Sequence, residues 1–138
     1  MNVLMVAIGL FSIGLGAWHL GVPAWFHVAA AIDGRTRRPL PPVRMTPFRY
    51  GTTRRDVLAV VWIMNLAASY GLISVGVVGL AAPLWIGTPA GRLLALWMAG
   101  WWAVRAAAQL AMGVRRIDLV VMTGFGGLAA ACVLAAIW

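Results

Sequence analysis

Arg105 lies inside a long apolar run, Leu93 to Met112, where a guanidinium is expensive to hold and therefore marks a functional candidate by default. Trp97, Trp101, Arg105 and Gln109 recur every four residues. On a helix of ~3.6 residues per turn such a row drifts only about 40° per step and occupies one face. Polar residues at similar spacing sit in the neighbouring apolar runs: Ser12, Gly16 and His19 in the first, Trp62, Asn65 and Ser69 in the second, with Thr123 early in the last. Counted from the helix ends, Asn65 and Arg105 fall roughly 10 to 12 Å deep, with His19, Gln109 and Thr123 nearer the same edge.

These residues predict a polar pocket in the inner half of a helical bundle, lined by Arg105, Asn65, Gln109, His19, Trp97 and Trp101. Arg105 would supply positive charge and the tryptophans a rigid wall, so the expected occupant is a small anionic or amphipathic molecule, or a lipid headgroup. The competing reading is structural: Arg105 snorkels to the interface or hydrogen-bonds Asn65, Gln109 and backbone carbonyls, and the tryptophans only pack.

Other chemistry finds less support. His19 and His27 are eight residues apart, about 12 Å along a helix and about 80° around it, so they cannot sandwich one haem. Haem b through His19 would need Met64, Met98 or Met122, or a second copy's His19, as the other ligand; otherwise no cofactor is expected. The three carboxylates, Asp33, Asp56 and Asp118, all fall at helix ends, where Asp56 and Asp118 suit N-terminal caps. None lies mid-span, which argues against proton-coupled antiport. Ser12, Ser69 and Ser74 carry no nucleophile motif, and no phosphate-cradling glycine loop or zinc spacing occurs, so the reading leans away from an enzyme. Cys132 is the single cysteine, which excludes an intramolecular disulfide.

The elements that must position these groups are membrane helices. Of 138 residues 63% are hydrophobic and 10% charged, against roughly a quarter charged in soluble domains. The expected fold is all-α, a polytopic four-transmembrane-helix bundle forming one membrane domain over 1–138, with spans about 3–22, 57–80, 93–112 and 119–137. Pro23 is expected to divide the first apolar stretch, leaving Ala24 to Ile32 as an interfacial continuation. That stretch lacks a preceding positive charge and exceeds a signal-peptide core, so it reads as a retained helix. Pro83, Gly87, Pro89 and Gly91 mark the second connection as turn-rich, with Trp85 as an interface residue. Small residues four apart (Ser12/Gly16, Ala67/Gly71, Ala95/Ala99, Ala103/Ala107) favour close helix packing.

All eleven basic residues are Arg, giving a net charge of +8. Seven lie in the segment 33–56, Arg115 and Arg116 in the third loop, and Arg92 alone in the second. The positive-inside bias therefore predicts both termini outside and 33–56 in the cytoplasm of a bacterial inner membrane. The arginines and prolines of 33–56 read as a stiff loop on anionic lipid headgroups. Pro39, Pro42 and Arg44 also have the spacing of a proline-rich peptide ligand, and nucleic acid is not an expected partner. Two functions follow: binding or transport of the ligand above, with homo-oligomerisation or a membrane-protein partner expected, or an accessory subunit of a larger, possibly redox, membrane complex.

Overall fold

The computed structural model describes residues 1–29, 43–45, 48–50, 54–112 and 116–138. Helix α1 spans Asn2–Trp25, followed by strands β1 (Val43–Met45) and β2 (Phe48–Tyr50), then α2 (Arg54–Leu80), the single turn α3 (Ala82–Trp85), α4 (Pro89–Met112) and α5 (Arg116–Ile137). The described residues are thus mostly helical, with one small antiparallel hairpin. Three helical segments are long and apolar enough to cross a membrane: Asn2–Trp25, Leu58–Leu80 and Arg116–Ile137. Helix α4 is as long as α1, at 24 residues, but Arg92, Arg105, Gln109 and three tryptophans dilute its apolar character.

The outer surface carries many large apolar side chains, and a few polar ones are buried with the apolar core. Ser12, Asn65 and Ser69 are buried, whereas Phe11, Ile63, Val104 and Val120 are exposed. In lipid this is the favourable arrangement, because hydrocarbon solvates apolar surface and cannot satisfy polar groups. The buried hydroxyls are satisfied locally: Ser12 Oγ donates to the Ile8 carbonyl at 2.6 Å and Ser69 Oγ to that of Asn65 at 2.9 Å.

The described residues form two compact units, Met1–Ile13 with Ser74–Trp138, and Gly14–Ile73. In the first, the start of α1 lies against the end of α2 at backbone contact distance. A Cβ on Gly9 would stand 2.7 Å from the Gly76 carbonyl oxygen, and one on Gly79 would stand 2.9 Å from Gly9 Cα. Helices α4 and α5 form the main helix pair of this unit, with Ala95, Met98, Ala99 and Trp102 of α4 and Phe125, Cys132, Ala135 and Ala136 of α5 buried. In the second unit Gly16 of α1 sits against Ser69, Leu72 and Ile73 of α2. Of the four small-residue pairs, Ser12/Gly16 and Ala95/Ala99 lie on packed faces. Ala67, Ala103 and Ala107 are exposed.

Several local expectations are corrected. Helix α1 runs through Pro23 without dividing there, because the proline falls in its last turn and removes only the donor that would bond the His19 carbonyl. The break comes at Phe26 and His27, where His27 adopts φ 47°, and Val28 and Ala29 are helical again; the continuation from Ala24 is therefore interrupted by a turn. Trp85 is 8% exposed and donates its indole N–H to the Val78 carbonyl at 2.8 Å, so it belongs to the packed interior. Helix α4 starts four residues before Leu93 because Thr88 caps it: Thr88 Oγ1 accepts from the Gly91 N–H at 2.9 Å, with Pro89 in the first helical position. Gly91 is consequently helical, and a Cβ there would collide with the Trp85 carbonyl. Asp118 is the third residue of α5, in the first turn where an acid complements the helix dipole. Asp56 is likewise the third residue of α2. Pro39, Pro42 and the first three loop arginines lie outside the described residues.

Candidate functional site

Two polar constellations emerge from the predicted site residues, one in each compact unit. In the unit Gly14–Ile73, His19 of α1 and Asn65 of α2 are hydrogen-bonded, with Nδ1 3.0 Å from Oδ1. The carboxamide oxygen can only accept, so the imidazole donates from Nδ1. Asn65 is 8% exposed, and its Nδ2 has no acceptor among the described residues. Trp18 stands edge-on to the His19 ring at 6.1 Å and packs on Trp25 at 5.7 Å. Trp62, expected on the face of Asn65 and Ser69, is exposed instead. His27 lies beyond the helix end and is exposed, off the face that carries His19.

The second constellation is built by α4 and α5. Trp102 is fully buried and lies between Phe125, at 5.2 Å and 36°, and Phe11, at 6.2 Å and 37°. Arg105, one turn further, places its guanidinium carbon 5.8 Å from the Phe125 ring centroid, within the range of a cation–π attraction that strengthens when desolvated. Trp101, Arg105 and Gln109 are each half-buried. Trp97 is 47% exposed, so the predicted row of four divides between an outward Trp97 and three residues nearer the packed face. The indole nitrogens of Trp101 and Trp102 are buried without an acceptor among the described residues. Thr123, on α5, is exposed and back-bonds to the Leu119 carbonyl at 2.9 Å.

The buried face of α4 runs one residue away from the row of Trp101. The row through Trp101 follows the polar side chains, whereas packing follows Ala95, Met98, Ala99 and Trp102. The Ala95/Ala99 pair carried that signal: extended by three residues, it reaches Trp102. Phe125 and Phe11 had no flag of their own, since an aromatic residue in an apolar run is unremarkable by type.

Chemically, the α4 constellation is rich in donors. A guanidinium, two indole N–H groups and a carboxamide occupy the stretch Trp101 to Gln109, and an indole N–H can only donate. Leaving a buried donor unmatched costs about 1 to 3 kcal/mol, and the two indole N–H groups are such donors among the described residues. Among the described residues no group of three His, Cys, Asp or Glu side chains forms a metal site. No protein family, curated protein or solved structure matches this chain.

Proposed function

We propose that the protein is a small multi-pass protein of the bacterial inner membrane that binds, or carries across, a small anionic or amphipathic molecule or lipid through the donor-rich stretch around Arg105. The observation that carries this reading is the pair of buried indole N–H groups of Trp101 and Trp102, which have no acceptor among the described residues, on the helix that also carries Arg105. Oxygens of an anionic headgroup would accept from these two indoles, the Arg105 charge would favour an anion, and the aromatic rings would contact its apolar part.

The reading includes four crossings with both termini outside. The 24 residues of α4 extend about 36 Å, enough for a hydrocarbon core of ~30 Å. The nine-to-one division of loop arginines supports the segment 33–56 on the cytoplasmic side.

Native mass spectrometry in mild detergent tests the proposal, with phosphatidylglycerol and phosphatidylcholine as probes. The wild-type chain is expected to retain the anionic lipid selectively, and Arg105→Gln to lose that retention about tenfold, the effect of removing about 1.4 kcal/mol of a charge-assisted contact, with helix content unchanged. Equal retention by the two proteins overturns the proposal. A chain that cannot be kept monodisperse alone favours the accessory-subunit reading, and the visible spectrum of the same sample reports haem at His19.

A further inference from the structure

Helix α2 carries two hydroxyls near the middle of its apolar span that its own chain leaves unused. Tyr70 is 75% exposed and lies twelve residues past Leu58 and ten before Leu80, the ends of that span. At ~1.5 Å per residue its Cα stands about 18 Å and 15 Å from those ends. Ser74, one turn further on, is half-buried. Ser12, Ser69 and Thr123 each close their hydroxyl on the carbonyl four residues back. Among the described residues neither Tyr70 nor Ser74 makes a hydrogen bond. Hydrocarbon offers a hydroxyl no partner, and a rigid phenol has no flexible stem to carry it to the headgroups as Lys and Arg do. An acceptor at this depth has to come from another protein segment.

The face around Tyr70 identifies that segment. Ile63, Tyr70 and Val77 are spaced by seven, as are Ala67 and Ser74, and residues at that interval drift by only ~20° around a helix. Ile63, Ala67, Tyr70 and Val77 are exposed. In packed parallel helices a large side chain of one enters a hole formed by four neighbouring residues of the other. Ala67, Tyr70, Gly71 and Ser74 enclose such a hole, and three of the four are small. The Tyr70 ring is a side chain of the size to fill it. One face thus presents both halves of the fit, which a two-fold axis along the membrane normal brings together. It also presents both halves of a hydrogen bond, since a hydroxyl donates and accepts. The uneven loop arginines favour a single orientation of insertion, and copies inserted alike carry these groups at equal depth.

We infer that this face of α2 is a homodimer interface: the Tyr70 ring of each copy packs over Ala67, Gly71 and Ser74 of the other, and its hydroxyl bonds to the partner's Tyr70 or Ser74. Ala67, exposed within one chain, is packed between two. The inference needs only that α2 crosses the membrane, and it is independent of the Arg105 site.

The test uses the full chain, purified and reconstituted alone in liposomes, with Cys132→Ser removing the native thiol. Under mild oxidation Ala67→Cys and Ser74→Cys are expected to give disulfide-linked dimer. Val104→Cys on α4, at a position 68% exposed in the single chain, is expected to stay monomeric. Förster transfer between copies labelled at the N-terminus, followed as lipid dilutes them, reports the dissociation constant. Tyr70→Phe is expected to raise it about threefold, the weight of an average interhelical hydrogen bond in lipid, and Tyr70→Ala to raise it further by emptying the hole. Far-UV circular dichroism verifies that the helices of each variant persist. A chain that stays monomeric at every protein-to-lipid ratio, or that links most readily through Val104→Cys, overturns the inference. A dissociation constant unchanged in both Tyr70 variants overturns the role assigned to Tyr70.

Discussion

His19 and Asn65 lie 46 residues apart in sequence and are joined side chain to side chain by a 3.0 Å hydrogen bond that ties the second half of α1 to the first half of α2. The bond lies one turn from the close approach of Gly16 to Ser69, Leu72 and Ile73, so it adds a directional contact to a packed stretch of the two helices. A double-mutant cycle with His19→Phe and Asn65→Leu is expected to give a coupling energy of about 0.6 kcal/mol, and no more than about 1.7, the range of interhelical hydrogen bonds in lipid. Unfolding in mixed micelles measures it, and strict additivity of the two single changes would refute a bond of consequence.

The close approach of α1 and α2 makes a second, steric prediction. A Cβ on Gly9 meets the Gly76 oxygen and the Leu80 nitrogen at 2.7 Å each, and backbone atoms cannot yield cheaply. Gly9→Ala is expected to destabilise by about 1 to 3 kcal/mol, as overpacking does. Gly100 and Gly124 have open space at the same position. Alanine at either is expected to be neutral or to stabilise by up to about 1 kcal/mol through helix propensity, so the sign of the effect separates packed from open glycines in one unfolding series.

The tryptophans of α4 give a third contrast. Trp102 is fully buried and Trp97 47% exposed, although the two differ by little in sequence context. Trp102→Ala is expected to cost about 3 to 5 kcal/mol from lost contacts and an unfilled cavity, whereas Trp97→Ala stays within about 0.5 kcal/mol. Comparable costs at both positions would move the packed face back to the row through Trp101.

Topology is decided by enzymatic reporters. Alkaline phosphatase fused after Trp138 is expected to be active, as an exported C-terminus requires, and fused after Thr52 to be inactive. A chain crossing only through α1, α2 and α5 from the same starting side would reverse the first result, so this fusion tests whether α4 spans.

Much of the architecture was legible in the sequence because it follows from length and composition alone. Apolar runs of about 20 residues predict long apolar helices, three of which are apolar enough to cross a membrane, and the crowding of seven arginines into 33–56 sets an expected orientation. The hairpin was not legible: the prolines of that segment announce extended chain, but pairing of Val43–Met45 with Phe48–Tyr50 is a matter of register. The Thr88 cap is masked in the sequence by Pro89 and Gly91, which read as breakers, although proline at the first helical position belongs to that capping pattern.

Arg105 was identifiable as a guanidinium in an apolar run without any coordinates, and so were the polar types at His19, Asn65 and Gln109. Which neighbours they meet was not. In a soluble bundle the polar face of each helix would have given its orientation away, since water demands it. Lipid accepts an outward Trp97 or Ile63 as readily as the interior accepts Trp102, so the sequence carries little contrast between the two faces. Tertiary packing made that choice: it seated Trp102 between Phe11 and Phe125, held Arg105 over Phe125, and joined His19 to Asn65.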